Sequence, residues 1–176
     1  GDGVNTTLNF NPDYLIKAFN VIDDFLLWND NYNPPRIINL AITYFRPVYY
    51  IDQFTAEQIL LIKKPPVSSP TVALQNNPTV DESFLDMRFI CFAYRYRYVD
   101  NMYSATSQFS APAFIPKAFE FNIDNYLNDG MKNSMNTAIV TYDSGGELVI
   151  GIDLLFKEMS SNIIKVIEKL DKKTLG

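Results

Sequence analysis

Three groups of side chains in this 176-residue chain have the types and spacing that chemistry would need. They are two pairs of adjacent carboxylates, one thiol, and a run in which tyrosine alternates with arginine. Paired carboxylates catalyse when burial and convergence drive their pKa values apart. Asp23 with Asp24 and Asp81 with Glu82 sit among turn residues, where neighbouring acids are solvated, so a glycosidase-like enzyme relying on carboxylates alone finds little support. Cys91 is the sole cysteine and the chain contains no histidine, which removes intramolecular disulfides, Cys/His zinc clusters and histidine acid/base catalysis. With no thiol or imidazole near it, Cys91 reads as a small packing residue. The segment "DNYLNDG", Asp124 to Gly130, has the flavour of a calcium loop, but Tyr126 occupies a position where such a loop needs an oxygen ligand. At most a weak calcium site remains there. The sequence therefore predicts a chain that is not an enzyme, with no cofactor and no dedicated metal.

Tyr94, Arg95, Tyr96, Arg97 and Tyr98 have the composition of a platform that stacks bases and neutralises phosphates. Strand geometry argues against it, because alternate residues project from opposite faces and cannot form one mixed surface. Ile90, Phe92, Tyr94, Tyr96 and Tyr98 are expected to point into a core, with Arg95 and Arg97 outward, where acids such as Asp86 and Asp100 are available to them. The net charge of −5, from 15 Lys and Arg against 20 Asp and Glu, supplies no global attraction for phosphate.

Hydrophobic residues make up 47% of the chain, enough to build one large core or two small ones. No apolar run approaches the roughly 20 residues of a membrane-spanning helix, and no signal-peptide pattern is visible. The sequon at Asn5 matters only in a secreted eukaryotic protein. The ends lack an initiator methionine, and the chain reads as a piece of something longer.

From Tyr14 to Ile42 the pattern is strand, turn, strand, turn, strand: "LIKAFNV", Asp23–Asp24, "FLLW", "NDNYNPP", "RIINLAI". "TAEQ", Thr55 to Gln58, has capping-box spacing and predicts a helical turn that stops by Pro65. Residues 65–78 are rich in proline, serine and asparagine and read as a stiff extended connection between a first segment, 1–64, and a second, 79–176. In the second, Phe84 to Val99 alternates as a strand and "SATSQFSAPAFIP" as its returning partner. Phe121 to Asn136 reads as a long loop. "AIVTY", "DSGG" and "ELVIGIDLLFKE" read as a hairpin. Residues 162–170 fit a helix or a strand, with strand preferred, paired to Leu154–Lys157.

Two stretches carry a resemblance. "VIDDFLLWNDNYNPPRIINL", through Leu27, Trp28, Asp30, Asn33, Pro35, Arg36, Ile37 and Asn39, resembles a recurring segment of the stabilisation or muzzle-type tail proteins of Bacteroidetes phages, crAss-like phages included. It is similar, more distantly, to a YWTD-type propeller blade. "FAYRYRYVDNMYSATSQFSAPAFIP", with the segment from Ile152 to Gly176, resembles the immunoglobulin or fibronectin type III-like insertion of the same proteins.

The resemblance implies an all-β fold: a partial propeller-like or tail-domain sheet followed by an immunoglobulin- or fibronectin-like β-sandwich. It implies a virion protein in a ring at the distal end of a short tail. Its partners would be copies of itself and other tail proteins, with DNA passing nearby. Tyr49, Tyr50, Phe54 and Tyr126 are the expected interface anchors. The alternative is a bacterial cell-surface module of the fibronectin type that recognises carbohydrate or protein.

Overall fold

The computed structural model describes residues 7–41, 55–81 and 83–174. It is all-β, with ten strands and a short 3-10 turn at Lys172–Thr174 among those residues. The chain forms two compact units, one of Gly1–Lys64 with Tyr98–Ser104, the other of Pro65–Arg97 with Ala105–Gly176.

The first unit is an antiparallel meander of β1 (Ala18–Ile22), β2 (Phe25–Asn29) and β3 (Arg36–Asn39), as the turn signals predict. Asp23 and Asp24 form the two-residue hairpin loop, with Asp23 in the left-handed region at φ 51°, a conformation aspartate tolerates better than most residues. These acids are exposed, and the Asp24 carbonyl accepts from Leu40 N–H at 2.7 Å. The next turn is wired by its own side chains. Asn29 Oδ1 accepts from Asn31 N–H, and Asp30 accepts from the Tyr32 and Asn33 N–H groups and from Asn33 Nδ2. Burial pushes the Asp30 carboxyl upward, but the donors of Asn33 and Tyr32 outweigh it and hold its pKa below the ordinary 3.8.

The outer edge of β3 is covered by residues 59–61, through Ile37 N–H to Ile59 O at 2.9 Å and Leu61 N–H to Pro35 O at 3.0 Å. Just before them the capping box is present as one turn: Thr55 N–H donates to Gln58 Oε1 at 2.8 Å, and Gln58 N–H to Thr55 Oγ1 at 3.3 Å. A buried ion pair, Lys63 with Asp100, ties this part of the unit to the Tyr98–Ser104 turn. Lys63 also donates to Gln58 O, and the Tyr98 hydroxyl donates to Lys64 O, both at 2.8 Å.

In the second unit, β5 (Ile90–Tyr98, its last residue grouped with the first unit), β9 (Val149–Glu158) and β10 (Lys165–Asp171) form a sheet in the order β10–β9–β5. Residues 165–171 are strand, paired antiparallel with Gly151 to Phe156. Tyr94, Tyr96 and Tyr98 are buried, and Arg95 and Arg97 project from the other face to pair with Asp153 and Asp171. The acid partners are thus not the expected Asp86 and Asp100, since Asp100 is taken by Lys63. The strand begins at Ile90 rather than Phe84, because residues 84–87 form a turn closed by Asp86 N–H to Ser83 O and Arg88 N–H to Leu85 O.

The pairing of the remaining strands differs from expectation. β8 (Thr137–Thr141) does not form a hairpin with β9. It pairs antiparallel with β4 (Thr71–Gln75), which lies within the proline-rich stretch 65–78. This places Val72, Leu74, Ala138 and Val140 against a core of Leu85, Ile90, Phe92 and Ala113. Burial of those four side chains on the facing layer decides the pairing, since a β8–β9 hairpin would not cover that core.

"SATSQFSAPAFIP" is also not a ladder strand. Ser107, Ser110 and Ala113 N–H donate to the carbonyls of Tyr94, Phe92 and Ile90, each at 2.8 Å, so three residues advance for every two of β5. The return bonds come from side chains: Phe92 and Tyr94 N–H donate to Ser110 and Ser107 Oγ at 3.0 and 3.1 Å. Serine hydroxyls replace backbone carbonyls as acceptors, which satisfies the β5 edge without strand geometry.

Candidate interaction surfaces

Residues 115–134 form an arm based on Ser134 N–H to Ile115 O at 2.7 Å and Lys117 N–H to Lys132 O at 3.1 Å. Its far end, expected to be a long loop, is a short hairpin of β6 (Phe121–Asn122) and β7 (Leu127–Asn128). Asparagine side chains hold it together. Asn122 Oδ1 accepts from Asp124 N–H at 2.9 Å, Asn125 Oδ1 from Leu127 N–H at 2.9 Å, and Asn128 Oδ1 from both Glu120 and Gly130 N–H at 3.0 Å. Gly130 lies against the Ala118 carbonyl, where a Cβ has no room.

With the asparagines turned onto their own backbone, the arm presents its large apolar side chains to solvent. Phe119, Ile123 and Tyr126 are 74%, 73% and 77% exposed, with Phe121 and Leu127 beside them. Phe121 and Tyr126 meet edge to face, centroids 6.3 Å apart. Tyr126 has φ 58°, a backbone conformation costly for a bulky residue. Of the four anchors named from the sequence, Tyr126 is at this tip, and Tyr49, Tyr50 and Phe54 lie outside the described residues. The signal that reveals the other arm residues is the three-residue spacing of Asn122, Asn125 and Asn128, which turns polar groups inward and leaves Phe119, Phe121, Ile123 and Leu127 outside. The Oδ1 atoms of Asn122, Asn125 and Asn128 accept from backbone N–H groups, and no group of three His, Cys, Asp or Glu side chains that could hold a metal ion occurs among the described residues.

A second apolar surface belongs to the first unit. Leu8, Phe10 and Ile16 stand over one face of the meander, where Phe19, Leu26, Trp28 and Ile38 line an open cavity of about 480 Å³. Every residue of β1 is exposed, Phe19 to 76%.

Burial pushes the Cys91 thiol up, only partly offset by Lys157. The tyrosines of β5 are core residues with no face to offer a base. Among the described residues no helix is long and apolar enough to cross a membrane. Comparison with protein-family models, curated proteins and solved structures gave no match.

Proposed function

We propose that the chain is a structural, non-catalytic component of a virion tail, of the phage group that its two segments resemble. Its work is to pack against neighbouring subunits in a ring at the distal end of a short tail. The observation that supports this reading is the arm: a hairpin stiffened by asparagine caps that holds Phe119, Phe121, Ile123, Tyr126 and Leu127 in water. Such a display costs solubility and has a use when a partner covers it, since buried aromatic anchors dominate interface energies. The net charge of −5 suits a conduit along which DNA must slide, because phosphate is repelled rather than gripped. The test is to image purified particles and trace this chain in their density. Density in the tail, with the arm against another subunit, supports the proposal. Absence from the particle, with the chain found on a bacterial cell surface instead, refutes it in favour of a surface-binding module.

A further inference from the structure

Strand edges carry unpaired N–H and C=O groups, and folded proteins usually blunt them. The β10–β9–β5 sheet of the second unit does so. The β5 edge is satisfied by the serine strip, and β10 carries Lys165, Glu168, Lys169 and Asp171 with a bulge between Val166 and Glu168. β4 and β8 form a separate two-stranded sheet whose residues Val72, Leu74, Ala138 and Val140 pack against the core.

β1 is treated differently. It pairs with β2 alone among the described residues, and its five residues, Ala18 to Ile22, include no charge, no proline and no break in register. The two-residue loop makes Ile22 and Phe25 a hydrogen-bonded pair, so Ala18 and Asn20 also turn their backbone groups towards β2. Phe19 and Val21 therefore turn theirs to the open edge.

That edge is self-complementary. Placed antiparallel to a second β1 with Asn20 on the axis, Phe19 stands opposite Val21 on the face that carries the cavity, and Ala18 stands opposite Ile22 on the other. The two outward-facing residues meet each other, giving four backbone hydrogen bonds over the pair, and the Asn20 amides face across the axis. Just beyond, Lys17 of each copy lies opposite Asp23 of the other, both exposed and of opposite charge.

We infer that β1 pairs antiparallel with β1 of a second copy about a twofold axis at Asn20, joining two three-stranded meanders into one six-stranded sheet. The exposed Phe19 rings then lie at the seam, beside the partner's Val21 and next to the apolar cavity of each unit. A twofold contact closes on itself and is independent of the tail assignment.

The test uses the full chain in sedimentation equilibrium and two variants. Val21→Pro deletes an outward N–H that β2 does not use, at an edge position where proline is tolerated. It removes two of the four intermolecular bonds and is expected to weaken association by roughly tenfold or more, with Trp28 fluorescence unchanged. Asn20→Cys puts two thiols across the axis at a non-hydrogen-bonded pair, where strands approach most closely, and is expected to give a reducible covalent dimer under mild oxidation, Cys91 being buried. The inference is overturned if the chain is monomeric at all concentrations, if the Val21→Pro dimer is as tight as the wild type, or if Asn20→Cys yields no covalent dimer. Should Val21→Pro alter Trp28 fluorescence, the Asn20→Cys dimer alone decides: its formation supports the pairing and its absence refutes it.

Discussion

Replacing Lys63 by methionine is the most informative single perturbation of the first unit. The Lys63 ammonium is 1% exposed and its partner Asp100 6%, so solvent screens neither charge. Lys63 also caps Gln58 O and lies 5.9 Å from the Tyr98 ring centre, and Asp100 accepts from Met102 N–H at 3.1 Å. Methionine fills the volume of the lysine stem but leaves the Asp100 carboxylate buried without its cation. Breaking one side of a buried pair costs about 3–5 kcal/mol. With a urea slope of about 1–2 kcal/mol per M for a unit this small, the unfolding midpoint drops by about 1.5 M or more, or the unit fails to fold. The assay has a built-in reporter, since the single tryptophan, Trp28, is buried in the same unit. The double variant Lys63→Met/Asp100→Asn removes both charges and keeps an acceptor for Met102, so it should recover to within about 2 kcal/mol of wild type. A loss below about 1 kcal/mol in the single variant would refute the reasoning, as would a double variant no better than the single one.

Two further outcomes follow from the same physics. Ser110→Ala leaves the buried Phe92 N–H without an acceptor and should cost about 1–3 kcal/mol, against about 1 kcal/mol or less for Ser110→Thr, which keeps a hydroxyl; chemical denaturation of both variants measures the difference. The Asp30 carboxyl has a lower pKa folded than unfolded, so its contribution is complete above the ordinary 3.8 and is lost as pH falls below it. Trp28-monitored stability should therefore fall more steeply below about pH 4 in the wild type than in Asp30→Asn, as acid titration of both will show.

What the sequence makes legible, and what it does not, follows from the range of each interaction. The meander β1–β2–β3, the Thr55–Gln58 capping box and the inward tyrosines of β5 are local patterns, set by turn chemistry and the two-residue strand period. The strand at 165–171 is ambiguous in sequence because Ile163, Val166, Ile167 and Leu170 fit the helical template while Ile164, Val166 and the β-branched content suit a strand, and pairing with β9 settles it. The β4–β8 pairing is not legible because Thr71 and Thr141 are distant in sequence, and only the shared core brings them together. The serine strip escapes both standard templates, since its period is three and its acceptors are hydroxyls. The arm reads as a loop because its strands are two residues each and its order comes from asparagine side chains.

The central claim is that the arm exists to be covered by a neighbouring subunit. Side-chain oxidation footprinting of Phe119 and Tyr126, in the isolated chain and in assembled particles, tests it most directly. The account predicts rapid labelling of both rings in isolation and strong protection in the particle. Equal labelling in the two states would contradict it.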